Sequence, residues 1–198
     1  MAKIFVKGER VSLGYFENKE EFLKYIENTD LELQQFLGVC GKFILTREVL
    51  ENNYNKHVEE MKNKNAYFFA IILNSENKLI GTCSLYLNRE FLKGSVAISL
   101  LKDYWGKGFG TEAMKLLLFF GFIILDLRKI ELEVYTYNER GIKSYKKVGF
   151  REVGVRRKER YCMGEWRDLL LMEILREEFI EENKELIEKI KKLNNIII

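Results

Sequence analysis

The run Trp105-Gly-Lys-Gly-Phe-Gly-Thr-Glu112 places Gly106, Gly108 and Gly110 directly ahead of an apolar segment. Glycine lets the main chain turn sharply and approach a ligand closely. The first amides of a following helix have no intrahelical acceptor and carry the positive end of its dipole, so the segment suits an anion such as a phosphate. A plain strand-to-helix turn would leave the three glycines unexplained as a set. A Walker A loop is excluded because Gly108, not Ser or Thr, follows Lys107. Gly108-Phe-Gly110-Thr-Glu-Ala113 does fit the dinucleotide pattern G-x-G-x-x-A, with Glu131 or Glu133 about 20 residues further on. Against that reading, Lys102-Asp-Tyr-Trp105 intervenes between strand and glycines, and only one strand-helix-strand unit surrounds the motif.

A second strand-to-helix junction follows. Ile130-Glu-Leu-Glu-Val-Tyr-Thr136 alternates apolar and polar residues as a strand does, Asn138 can cap a helix over Glu139 to Val148, and Gly149 can close it. With three ordered motifs in place, Tyr104 to Ala113, Leu132-Glu-Val134 followed by Asn138, and Ser144-Tyr-Lys-Lys-Val-Gly-Phe150, the chain resembles the GNAT N-acetyltransferase superfamily. The branch it is most similar to is that of ribosomal-protein and polyamine acetyltransferases. Lys7 to Leu13 looks like the family's first strand and Asp168 to Leu175 like its last, preceded by the turn Gly164-Glu-Trp-Arg-Asp168. Trp105 departs from the Arg or Gln that usually opens the glycine loop, with little consequence for a grip made by backbone amides.

The resemblance implies a direct transfer of acetyl from acetyl-CoA to a primary amine, with no metal and no covalent enzyme intermediate. It implies that the amides of Lys107, Gly108, Phe109, Gly110 and Thr111 cradle the pyrophosphate and that main-chain groups of Leu100 and Leu101 pair with the pantetheine arm. Asn138 would reach that arm near the thioester. An alkylammonium has a pKa of about 10.4 and attacks only after losing a proton. The implied base is Glu133, five residues before Asn138, the spacing at which ribosomal-protein acetyltransferases place a catalytic glutamate; an exposed strand carboxylate is the competing reading, since Glu131 shares its face. Tyr145 lies seven residues past Asn138, two helical turns or roughly 10.5 Å along one face. A phenol of pKa about 10 keeps its proton at neutral pH and can donate to the departing thiolate. The acceptor is a small-molecule or peptide amine: a protein N-terminus, a polyamine and an amino sugar all fit. A catalytically inactive CoA-binding regulatory module and a dinucleotide-binding oxidoreductase are the alternatives.

Positioning these residues requires a strand over Val96 to Leu101 and a helix from Thr111 to about Leu125, with Ala113, Leu116, Leu117, Phe120 and Ile124 on its buried face. Ahead of them come a strand near Arg10 to Leu13, helices at Lys19 to Asn28 and, capped by Thr46, at Arg47 to Lys62, then strands Tyr67 to Leu73 and Leu79 to Leu85 around a turn at Asn74 to Lys78. The resemblance organises them as a mixed α/β domain: a central, mostly antiparallel sheet of about seven strands with two splayed parallel central strands, flanked by helices. This domain spans 1–178, and 179–198 form a C-terminal helical extension. Apolar residues at Leu186, Ile190, Leu193 and Ile197, with Asn183 in register, read either as a homodimer seam or as a helix packed on the chain's own sheet.

At 198 residues one domain is expected, and 47% hydrophobic with 32% charged residues is ordinary for a soluble globule. A net charge of +3 is too small to argue for nucleic acid. With no signal-like start and no apolar run of membrane-spanning length, a cytoplasmic location without membrane association is expected. His57 is the lone histidine, in a polar helical stretch, and reads as a surface residue unsuited to a triad or metal site. Cys40, Cys83 and Cys162 show no Cys-x-x-Cys spacing, which argues against zinc and a disulfide framework. Arg156-Arg-Lys-Glu-Arg160 reads as a solvated strand end or as a contact for the CoA 3′-phosphate or an acidic substrate.

Overall fold

A computed structural model describes residues 3–29, 46–162 and 164–196. Eight strands form one sheet, β1 (Lys3–Val6), β2 (Val11–Tyr15), β3 (Ala66–Leu73), β4 (Lys78–Asn88), β5 (Lys93–Leu100), β6 (Lys129–Tyr135), β7 (Arg151–Cys162) and β8 (Glu165–Leu175), in the order β1-β2-β3-β4-β5-β6-β8-β7. Every neighbouring pair is antiparallel except β5 with β6. The sheet is thus one strand larger than expected: β1 had no counterpart in the sequence reading.

Helix α1 (Lys19–Glu27) starts at Asn18, whose side chain accepts from the Glu21 amide, and α2 (Arg47–Lys62) starts at Thr46, which accepts from Val49. These two helices cover one face of the sheet, where Phe22, Leu23 and Leu50 form a small cluster. The opposite face carries the main core. There α3 (Phe109–Phe119) buries Ala113, Met114, Leu116 and Leu117 against Leu13, Ile71, Ile80 and Leu85. Its last turn, Leu116 to Phe119, is buried all round and wholly apolar, while Thr111, Glu112 and Lys115 are only partly buried.

The continuation of α3 departs from the expected helix to Leu125. Phe120–Ile124 form a π turn in which the Leu125 amide donates to the Phe120 carbonyl at 3.0 Å. Each π turn takes an extra residue, so the apolar face rotates: Phe120 and Phe122 stay buried, whereas Ile124 is exposed rather than on the buried face. Gly121 sits where a Cβ would come within 2.6 Å of Ile130 Cδ1, so the turn lies flush on β6.

Helix α4 (Glu139–Val148) forms over the expected span, capped by Asn138 and ended by Gly149 at φ +111°. Helices α5 (Arg176–Glu182) and α6 (Lys184–Leu193) close the described chain, with Phe179, Ile187 and Ile190 buried in the main core. The tail therefore packs on its own domain. Asn183 is buried too, accepting from Lys115 Nζ at 2.9 Å and donating to the Phe179 carbonyl at 3.0 Å, so its position in register serves this chain's interior. Ile197 and Cys40 lie outside the described residues. Cys83 is free and buried, and burial pushes its thiol pKa up; Cys162 is disulfide-bonded, which its sequence spacing did not suggest.

Candidate active site

The site begins where β5 ends. The Leu101 amide donates to the Ile80 carbonyl at 2.9 Å, a 3-10 turn over Lys102–Tyr104 follows, and Gly106 (φ +72°) and Gly108 (φ +82°) swing the chain through left-handed backbone into α3. Such dihedrals favour glycine because a Cβ would crowd the backbone. Gly108 is the N-cap, and the first helical bond of the turn runs from the Glu112 amide to the Gly108 carbonyl. The amides of Phe109, Gly110 and Thr111 are left by helix geometry without an i−4 acceptor within α3.

Two residues distant in sequence, Arg10 and Glu112, fix this turn. Arg10 donates from Nη1 to the Lys107 carbonyl at 3.1 Å and from Nε to Glu112 Oε2 at 2.8 Å, while its guanidinium covers the Phe109 ring at 5.3 Å. Glu112 Oε1 accepts from the backbone amides of Arg10 at 2.8 Å and Val11 at 3.3 Å. A carboxylate in the first turn also complements the helix dipole. Neither role follows from the motif; the partners are some hundred residues apart in sequence.

Beyond the turn, β5 and β6 separate. They pair in parallel over Lys93↔Lys129, Gly94↔Ile130 and Ser95↔Glu131 only, so from Val96 onward one edge of β5 has no strand partner. The resulting cleft, about 620 Å³, is floored by Ile98 to Leu100 and walled by the glycine turn on one side and by α4, from its Asn138 cap to Lys147, on the other. Asn138 Oδ1 accepts from the Gly141 amide at 3.0 Å, and Thr111 and Ser144 hydroxyls meet at 3.0 Å, tying α3 to α4.

Of the residues singled out in the sequence, Leu100, Gly108, Gly110, Thr111, Asn138 and Tyr145 line this cleft together. Lys107 and Phe109 belong to the same turn, with Lys107 Nζ lying 5.8 Å from the Tyr104 ring. Leu101 has both main-chain groups engaged, its carbonyl accepting from the Tyr104 amide at 3.0 Å, and the Leu100 carbonyl accepts from Trp105 Nε1 at 2.7 Å. Trp105 is thus a brace between strand end and turn, and Arg140 stacks on its ring at 3.2 Å. Desolvation pushes the Tyr145 phenol up to about 12, against a smaller opposing effect of Arg140, so it holds its proton throughout the neutral range.

Glu133 is not brought to the cleft. It lines neither of the cavities at this site, and its carboxylate is 2.5 Å from Arg156 Nη1 and 3.6 Å from Arg160 Nη2, both reaching over β8 from β7. The basic run therefore spends two of its guanidiniums on Glu133. Glu131 pairs with Lys129 at 3.6 Å.

A second cavity, about 350 Å³, opens on the face covered by α1 and α2 and shares Ile98 and Ser99 with the cleft. Helix α2 contributes Leu50, Asn53, Tyr54, His57 and Met61, one face at helical spacing. His57 is not a free surface residue: its ring stacks on Phe68 at 4.0 Å and meets Phe22 edge-on at 5.6 Å, and desolvation, helped by Lys56, lowers its pKa. At the shared end, Ser99 Oγ lies 2.7 Å from Tyr25 Oη and 3.0 Å from Thr82 Oγ1.

A family profile described as Acetyltransferase (GNAT) domain matches residues 11–151. The spermidine N(1)-acetyltransferase of Escherichia coli K12 is 28% identical over 136 residues, 68% of this chain and 70% of that protein. An uncharacterized N-acetyltransferase, p20 of Bacillus licheniformis, is 30% identical over 112 residues, 56% of this chain; the match spans 63% of p20's own length. Among solved structures, spermidine N-acetyltransferase from Vibrio cholerae in complex with CoA and spermine superposes with a TM-score of 0.77 at 24% identity, covering 87% of this chain and 99% of that one. The chain belongs to the GNAT acetyltransferase family.

Proposed function

We propose that this chain moves the acetyl group of acetyl-CoA directly onto a primary amine. The observation that carries the reading is the meeting of two cavities at Ile98 and Ser99, one bounded by a phosphate-suited glycine turn and a strand edge without a partner, the other approaching from the opposite side. The donor fits the residues present: amides at the start of α3 suit a pyrophosphate, Lys143 and Lys147 add positive charge to the same cleft, and the open edge of β5 suits an amide-bearing arm. Bound there, acetyl-CoA supplies an activated acyl group.

The amine nitrogen forms a bond to the acyl carbon, the carbon–sulfur bond breaks with its electron pair going to sulfur, and one proton leaves the nitrogen. Tyr145, protonated and in the cleft, donates a hydrogen bond to the developing thiolate. The base follows from the family resemblance alone, which points to Glu133. Glu133→Gln tests it: a variant-to-parent kcat ratio that climbs with pH supports a base, and a flat ratio assigns Glu133 to holding Arg156 and Arg160.

The experiment for the whole reading is thiol release from acetyl-CoA in the presence of amines of different class. Release that depends on both substrates supports it. CoA binding without release from any amine would support an inactive CoA-binding module, and binding of NAD in place of CoA would support an oxidoreductase.

A further inference from the structure

On the premise that acetyl transfer to an amine is the activity, the attacking nitrogen must arrive where the two cavities meet. The described residues common to both linings are Ile98 and Ser99, of which Ser99 supplies the polar side chain. Three elements build its hydroxyl into the fold. Ser99 of β5 stands directly opposite Thr82 of β4, their hydroxyl oxygens 3.0 Å apart. Helix α1 brings the buried Tyr25 hydroxyl to 2.7 Å from Ser99 Oγ. Opposed threonine and serine often share a bond that serves the sheet alone. A third hydroxyl delivered from a helix marks an oriented group.

A serine hydroxyl has one proton and two lone pairs. Burial raises the pKa of the Tyr25 phenol, so it keeps a proton to give. With Tyr25 donating to Ser99 Oγ and Ser99 donating to Thr82, one lone pair of Oγ is left over. Ser99 is only 5% exposed, and the open space it borders is that of the two cavities.

The reaction has a use for that lone pair. As nitrogen bonds to the acyl carbon it gains positive charge, and its N–H groups become stronger donors. A fixed acceptor beside them stabilises the transition state more than the bound amine, which raises kcat. The roles of the two hydroxyl groups then divide by charge. Tyr145 donates where negative charge gathers on sulfur, and Ser99 accepts where positive charge gathers on nitrogen.

We infer that Ser99 is a catalytic residue of the transfer, its Oγ accepting a hydrogen bond from the attacking amine, and that Tyr25 and Thr82 are positioning residues that orient this hydroxyl.

The test follows thiol release by the full chain from acetyl-CoA with spermidine, a peptide bearing a free N-terminal alanine, and glucosamine. For whichever amine the parent acetylates fastest, Ser99→Ala should lower kcat about 10–150-fold, as expected for a hydrogen bond to a group gaining charge. The KM for acetyl-CoA should not change. Tyr25→Phe and Thr82→Val, which keep shape and remove a hydroxyl, should each lower kcat about 3–10-fold with the same KM for acetyl-CoA. Thr82→Ser returns the hydroxyl and should recover most of that loss. Parent kcat in Ser99→Ala, or in both Tyr25→Phe and Thr82→Val, would overturn the inference and leave acetyl transfer standing. A loss that lies in the KM for acetyl-CoA would also overturn it, assigning the three hydroxyls to holding the strand edge. If the parent releases no thiol with any of the three amines, acetyl transfer fails and the inference falls with it.

Discussion

Replacing Glu112 by alanine should uncouple the glycine turn from the β1–β2 end of the sheet. The carboxylate accepts from the Arg10 and Val11 amides and from Arg10 Nε, and Val11 is fully buried. Leaving a buried amide without an acceptor costs about 1–3 kcal/mol. The Arg10 pair, half exposed on the arginine side, adds at most about 1 kcal/mol, and the lost charge at the helix start about 0.3–1 kcal/mol. These effects overlap and give a loss of about 2–4 kcal/mol, or about 4–16 °C in Tm for a chain of this length. Glu112→Gln keeps an acceptor and should lose roughly half as much. Thermal unfolding measures the first effect. Calorimetry with CoA measures the second, a weaker affinity, because Arg10 would no longer be held at the Lys107 carbonyl. A Tm within about 1 °C of the parent, with CoA affinity unchanged, would refute the idea that this carboxylate sets the turn.

Gly108→Ala should weaken CoA binding about 5–30-fold, since a left-handed N-cap costs a residue with a Cβ about 1–2 kcal/mol; Gly154→Ala, with nothing within 4 Å and no positive φ, is the control expected to be neutral. Tyr145→Phe keeps the ring against Phe150 and should lower kcat about 10²–10⁴-fold with CoA affinity intact; undiminished turnover would remove the hydroxyl from the chemistry. For His57 the folded pKa lies below the ordinary value of 6.5, so the unfolded chain takes up the proton first as pH falls. Stability from this group is fully present above about pH 6.5 and is lost on acidification through the folded pKa. Urea midpoints of the parent should therefore fall relative to those of His57→Phe between pH 7 and 5, and parallel curves would contradict it.

Sequence signals were strong where chemistry and backbone geometry coincide. Gly106 and Gly108 occupy left-handed dihedrals, and the Asn138 cap and Gly149 stop bound α4 at the residues where they act. The parting of β5 from β6 came from the family resemblance, since no local pattern encodes where two strands cease to pair. Other features depend on partners distant in sequence. The π turn arises because Gly121 lies flat on β6, which an α-helical period cannot foresee. His57 looked like a surface residue because the cavity face of α2 mixes Leu50, Asn53, Tyr54, His57 and Met61, a stripe whose meaning appears only when β3 supplies Phe68. Glu133 shows the converse: its spacing from Asn138 matched a catalytic pattern, while Arg156 and Arg160, on β7 beyond the intervening β8, take up its carboxylate.

The handclasp between residues 7 and 194 has a practical outcome. Asn194 accepts from the Lys7 amide at 2.7 Å and returns a bond to its carbonyl at 2.9 Å, with Lys189 reaching Glu9 beside it. Segments 187 positions apart are thereby stitched into a loop that is topologically almost a ring. Cutting the clasp, as Asn194→Ala would, should free the end of α6 from the segment between β1 and β2.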